Sequence, residues 1–289
     1  MSRNITTNTH KADRILGQPD NLARFTVFDS LAQFSEAAQE SASRTLADSD
    51  PTWAGGTFDE ATNMATHGWE EPLPEVDALV DGMAKQLTLS PTLDVSGSDV
   101  DIDRYLSSEP ECMLDYPLGE KDIRSISVLI PICFSSLVKA TTARMRGIAV
   151  AAALEELHRQ GITATVYAYL YITGTHGNKA VTLVKLADTR VAYDAARVAY
   201  GVGHPTMLRQ LFFGYEDGWE SQYHLMFGIE SGRGAAPYSV TEGDDNIEEF
   251  LHRILDTEEA IDIPALHYNQ NKWTMEQHLE QVQGFFTKG

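Results

Sequence analysis

Ile126-Ser127-Val128-Leu129-Ile130-Pro131-Ile132-Cys133-Phe134 is apolar and rich in β-branched residues. That is the pattern of a strand buried on both faces. The residues after it decide the fold class. From Thr141 to Gln160, Ile148, Ala151, Leu154 and Leu157 recur at helical spacing, and Gly161 supplies a stop. Thr163 to Ile172 and Ala180 to Leu186 read as two further strands. Asp188 to Tyr200, closed by Gly201, and Thr206 to Phe213 predict helices. Tyr223 to Ile229 predicts a strand. Helices from Asp245 to Leu255 and from Thr274 to Phe286 close the chain, the second opened by a capping box of Thr274 and Gln277. This order predicts an α/β fold, a mixed sheet covered by helices.

The preceding residues read differently. The first 24 are polar and predict a loose terminus. A helix is expected from Ser30 to about Leu46, capped by Asp29 or Ser30, with Leu31, Phe34, Ala38 and Ala42 on its apolar face. Asp48 to Gly56 reads as a loop around Trp53. Thr57-Phe58-Asp59-Glu60 is a capping box, and the helix it opens should stop at Gly68. Another helix begins at Pro74, with Val76, Leu79, Val80, Met83 and Leu87 at helical spacing. Ser90 to Gly119 is rich in turn formers and acids and reads as an irregular connection. The expected division is a loose N-terminus over residues 1–24, a mostly helical acidic region over 25–119, and an α/β domain with C-terminal helices over 120–289.

The 289 residues carry a formal net charge of −20, unevenly spread. Residues 1–120 hold 7 Lys/Arg and 22 Asp/Glu, a net of −15; residues 121–209 hold 11 and 5, a net of +6; residues 210–289 hold 4 and 15, a net of −11. A basic middle therefore lies between acidic arms, and a local field counts for more in binding than total charge. The ordinary alternative is a folded middle with solvated acidic flanks. The two cysteines, Cys112 and Cys133, are too few for a disulfide framework and fit a reducing compartment. The polar start and the lack of a spanning apolar run predict a cytoplasmic protein without membrane contact.

Motifs for catalysis are missing. There is no H-E-x-x-H, no Walker loop, no G-x-G-x-x-G after a strand and no G-x-S-x-G elbow. An enzyme is not expected, nor a cofactor. Asp94-Val95-Ser96-Gly97-Ser98 matches the D-x-S-x-S string of a von Willebrand A metal site, and Asp99, Asp101 and Asp103 add carboxylates. Ser90-Pro91-Thr92 is a poor central strand before it, so an acidic loop is expected and no metal site is assigned. A divalent ion there remains a third reading.

Val166-Tyr167-Ala168-Tyr169-Leu170-Tyr171 puts three tyrosines on one face of a strand. Aromatic stripes on sheets stack single-stranded bases, at about 1–3 kcal/mol per base. Lys139, Arg144, Arg146, Lys179, Lys185, Arg190 and Arg197 would then hold phosphates beside Tyr167, Tyr169 and Tyr171. Tyrosines on a sheet also pack under helices, and the sequence leaves both readings open.

Two resemblances follow from these residues. The strand through Pro131-Ile132-Cys133-Phe134-Ser135-Ser136, its helix through Arg146-Gly147, and Gly203-His204-Pro205-Thr206 before another helix resemble a von Willebrand A-like domain. No aspartate ends the first strand, so the resemblance implies that fold with its metal site lost. Trp53-Ala54-Gly55-Gly56 leading to His67-Gly68-Trp69-Glu70, Asp101-Ile102-Asp103-Arg104-Tyr105-Leu106 with Glu109-Pro110-Glu111-Cys112-Met113, and Arg146-Gly147-Ile148-Ala149 resemble a family of tailed-phage proteins, from about Phe28 to Leu211. Such proteins look similar to early products of podoviruses that encode their own RNA polymerases. The resemblance implies a protein of the infected host's cytoplasm that binds single-stranded DNA and recruits a phage RNA polymerase as a transcription cofactor. The alternative is a non-enzymatic interaction scaffold with a metal-free von Willebrand A-like fold. Whether the chain forms homo-oligomers is left open.

Overall fold

The computed structural model describes residues 22–42, 51–86, 92–95, 99–115, 125–132, 137–173, 178–219 and 260–286, with Leu251 and Leu255. Its frame is a five-stranded mixed sheet. The strands are β1 (Leu22–Phe28), β5 (Ser125–Pro131), β6 (Thr163–Thr173), β7 (Lys179–Asp188) and β8 (Ala260–Asp262), in the order β1-β7-β6-β5-β8. β6 and β7 form the antiparallel pair, and every other neighbour is parallel. The α/β class read from the sequence is the class observed.

The first helices are α1 (Leu31–Ser41), α2 (Pro51–Ala54), α3 (Phe58–His67) and α4 (Leu73–Gln86). α6 (Ala140–Arg159) is the central one: every residue from Arg146 to Leu154 is buried. A helix buried all round must be apolar or small all round, and Gly147-Ile148-Ala149-Val150-Ala151-Ala152-Ala153-Leu154 satisfies that. α6 packs on the sheet beside α7 (Ala195–Gly203), and α4 and α9 (Met275–Phe286) pack against it. One core joins Val128, Ile130, Val166, Ala168 and Val184 of the sheet to all these helices. The other sheet face carries Phe25, Leu129, Tyr169, Tyr171, Val181 and Leu183, and Leu251 and Leu255 pack over it.

Several local expectations change. Residues 22–24 are not loose; they start β1, which joins the main sheet beside β7. The acidic N-terminal region therefore shares the sheet and core of the α/β part. Trp53 sits in the short α2 rather than a loop. The helix expected from Asp188 starts at Ala195, because β7 continues to Asp188 and the Asp194 side chain caps the Arg197 N–H. The segment after Pro205 is a π-helix, Met207–Phe212, running into α8 (Phe213–Asp217). The described residues between Ser90 and Gly119 are regular where an irregular connection was expected. They hold β2 (Thr92–Asp94), β3 (Asp99–Val100), α5 (Ile102–Leu106) and β4 (Met113–Asp115), the strands forming a separate small sheet β2-β4-β3. The expected strand from Tyr223 to Ile229 lies outside the described residues, as does most of Asp245 to Leu255.

Candidate functional site

Strand alternation puts Tyr167, Tyr169 and Tyr171 on one face, as expected. That face is not open. Tyr169 and Tyr171 are 2% and 3% exposed, held in the apolar layer under Leu251, and Tyr167 is half-buried at its edge. Burial raises the Tyr167 phenol pKa, with smaller contributions from Asp188 and Asp29. A base cannot stack on rings that already sit in a core, so the stripe is a packing layer in this fold, and this corrects the stacking expectation.

The arginines among the basic residues are engaged within the fold. Arg146 is 2% exposed and reaches Gln281 Oε1 at 2.7 Å and the Pro264 carbonyl at 2.9 Å. Arg144 donates to Glu75 at 2.8 and 2.9 Å and to Glu71 at 3.0 Å, with its guanidinium over the Trp69 ring. Arg190 forms a two-pronged pair with Asp188 at 2.9 and 2.7 Å. Arg197 pairs with Asp194 at 3.1 Å and donates to the Thr66 carbonyl. Lys139 stands exposed at the N-terminus of α6, its backbone N–H bound to Asn271. Lys179 opens β7 and Lys185 lies opposite Tyr167, both half-buried. Of the +6 read in this segment, three arginines are neutralised locally and one is inside the protein. Sequence counts cannot show this, because the partners of Arg144 lie about 70 positions upstream.

Two stretches of the tailed-phage resemblance, Trp53 to Gly56 and Gly68 with Trp69, meet the segment around His204 and the π-helix. Gly55 and Gly56 (φ +86° and +155°) pass the start of the π-helix so closely that a Cβ on Gly55 would lie 2.9 Å from Pro205 Cβ. Arg209 bonds the Trp53 carbonyl and stacks over its ring, and Gln210 Nε2 donates to the Gly56 carbonyl at 2.9 Å. Gly68 (φ +87°) has no room for a side chain against Ala196. Trp69 then sets its ring edge-on to His204, 4.6 Å between centroids.

His204 is the titratable group here that sequence reading missed. Its Nδ1 lies 2.8 Å from Thr206 Oγ1 and accepts the Thr206 N–H at 3.3 Å. An Nδ1 that accepts carries no proton, so the neutral ring is protonated on Nε2. Burial lowers its pKa to about 4, against the opposing charges of Glu71 and Glu60. The ring is thus a neutral N–H donor at neutral pH, and it caps the helix that starts at Pro205. Tyr200 locks the same junction, its hydroxyl donating to the Ala61 carbonyl at 2.9 Å. The arrangement holds α3, α7 and the π-helix together. Among the described residues, no three His, Cys, Asp or Glu side chains are placed to hold a metal ion. No helix among them is long and apolar enough to cross a membrane.

The exposed apolar residues cluster elsewhere. Ile102, Tyr105 and Leu106 lie at i, i+3 and i+4 on α5, one stripe of the helix, and are 68%, 64% and 74% exposed. Val95, just after β2, and Val100 of β3 are exposed nearby in the chain. Acids fringe the helix: Arg104 pairs with Glu109 at 3.1 Å, Asp101 caps the Arg104 N–H, and Glu111 is exposed. Ser108 takes a left-handed conformation (φ +60°) at the end of α5, a position where glycine is the usual residue.

No curated protein and no solved structure matches this chain. The family described as a domain of unknown function, DUF7192, matches residues 16–287, and the chain belongs to that family.

Proposed function

We propose that this protein is a non-enzymatic interaction scaffold that docks a protein partner through the apolar stripe of α5. One observation carries the reading. Three large apolar side chains share one helix stripe and stand open to water, on a small sheet separate from the main one. A folded chain that buries Phe34, Tyr200 and Phe212 completely has no internal use for Ile102, Tyr105 and Leu106 outside its core. Contiguous exposed apolar surface rimmed by polar groups is typical of protein–protein contact sites. The succession β5, α6, β6 and β7, with β8 on the far side of β5, supports a von Willebrand A-like scaffold without metal beneath it.

The single-stranded DNA and polymerase-cofactor reading ranks second. Its rings are buried and most of its arginines are engaged, so Lys139, Lys179 and Lys185 would have to hold a strand between acidic arms.

A photo-crosslinking residue placed at Tyr105 tests the scaffold reading in cells that express the protein, with the same residue at Val191, which is 86% exposed, as control. A discrete adduct at position 105 and none at 191, lost in Ile102→Ser/Leu106→Ser, is expected. The double variant should melt within about 1–2 °C of wild type, since exposed positions change stability by less than about 0.5 kcal/mol. Equal adducts at both positions, or none at 105, sink the proposal. Micromolar, salt-sensitive binding of a labelled oligonucleotide would restore the DNA reading.

A further inference from the structure

Arg146 and His278 pose an electrostatic problem that the fold leaves unsolved. The Arg146 guanidinium is buried in the middle of α6, and its two hydrogen-bonded partners, Gln281 Oε1 and the Pro264 carbonyl, are neutral. Among the described residues no carboxylate pairs with it. Buried charges in proteins are ordinarily paired or bound to an ion of opposite sign. Burial lowers the Arg146 pKa only to about 10, so it keeps its charge at neutral pH.

His278 faces the same spot from α9. It lies three residues before Gln281, and so on the same side of the helix. It is 0% exposed, and neither Nδ1 nor Nε2 has a hydrogen-bond partner among the described residues. The Trp273 ring stands 5.4 Å from it, between centroids. A neutral imidazole always carries one N–H, so one buried donor is aimed at nothing. Gln270, also buried, donates to the same Gln281 oxygen that Arg146 uses, at 3.1 Å, which fixes Gln281 as an acceptor. The acids on α9, Glu276 and Glu280, stand on its exposed side. The groups turned inward thus sum to one positive charge plus one unmatched N–H donor.

We propose that a compact anion, a carboxylate or phosphate group, binds between α6 and α9 on Arg146 and the His278 ring. It would supply both the counter-charge and the missing acceptor, and it would tie the C-terminal helix to the central one. Charge-assisted hydrogen bonds of this kind are the strong ones.

The test is thermal unfolding of the full chain in sodium chloride, with inorganic phosphate or acetate substituted at constant ionic strength. Phosphate or acetate should raise Tm by about 2–4 °C for each tenfold in concentration above its Kd, and the arm with the steeper rise identifies the anion class. His278→Leu separates a site from general salt stabilisation. It removes an unmatched polar group, so the variant should be at least as stable as wild type in chloride and should lose the added rise in phosphate or acetate. In wild type, the His278 ring nitrogen resonances should also move with the anion. Equal slopes in all three salts, or an undiminished rise in His278→Leu, would overturn the proposal and leave a buried water as the occupant.

Discussion

Gly147 and Gly203 meet where α6 packs on α7, and each is there for want of a side chain. A Cβ on Gly147 would stand 2.7 Å from both the Ala199 carbonyl oxygen and Gly203 Cα. Those are backbone atoms, so relief requires the helices to part. Glycine inside a helix ordinarily costs about 0.5–1 kcal/mol against alanine, so Gly147→Ala has two opposed effects. Overpacking of about 1–3 kcal/mol is the larger, and urea denaturation should show a net loss of stability. Gly82 on α4 is the control, since nothing lies within 4 Å of its added Cβ. Gly82→Ala should gain about 0.5–1 kcal/mol. A gain in both variants would mean that the α6–α7 contact is looser than described. The residue scale is also where the sequence was hardest to read. Trp53, Gly55, Gly56, Gly68 and Trp69 stood out as motifs, yet their role is close packing against Pro205, Ala196 and His204, roughly 130 to 150 positions away, and no local pattern announces that.

At the scale of elements, local chemistry was legible wherever it was self-contained. The reading left Asp29 and Ser30 open as the cap of α1, and the structure decides for Ser30. Its Oγ accepts the Gln33 N–H at 3.2 Å, while Gln33 Oε1 returns a bond to the Asp29 N–H at 3.0 Å. Ser30→Ala should therefore lower stability by about 1 kcal/mol, whereas Asp29→Ala should leave it nearly unchanged; the reverse order in a denaturation series would move the cap. The capping boxes at Thr57 and Thr274 form as read. What escaped was set by partners distant in sequence. Leu22–Phe28 lacks clean alternation and is a strand because β7, over 150 residues later, offers an edge. The tyrosine stripe shows the same limit: period two says which residues share a face, but not that Leu251 covers it.

At the scale of the whole molecule, three buried ionisable groups set how stability responds to pH, and they pull in opposite directions. His204 and His278 titrate near 4 in the fold, lowered chiefly by burial, from an ordinary value of 6.5. Between those values the unfolded chain binds more protons than the native one, so the two histidines stabilise above pH 6.5 and lose that contribution as pH falls toward 4. Glu216 behaves oppositely. Burial, with the neighbouring Asp217, raises its carboxyl from 4.5 to about 8. The native state then holds a proton that the unfolded state has lost, so its contribution is whole below pH 4.5 and disappears as pH rises through 8. Near pH 6.5 each histidine of the unfolded chain is half protonated, and the two together offset the one proton kept by Glu216. Stability should therefore peak near pH 6.5. It should fall on the alkaline side with a slope of at most about 0.8 kcal/mol per pH unit near pH 7.5, because Glu216 begins to lose its proton before the histidines of the unfolded chain have lost all of theirs. Urea midpoints from pH 5 to 8.5 measure this. Glu216→Gln keeps the shape and removes the proton, and should abolish the decline between 6.5 and 8 and steepen the acid limb, where the two histidines then act unopposed. His278→Leu should do the converse: the one histidine left is balanced by the Glu216 proton, so the rise between pH 5 and 6.5 should nearly vanish. If Glu216→Gln leaves the alkaline decline unchanged, Glu216 is ionised in the native protein, and a cation must stand beside it in place of the proton.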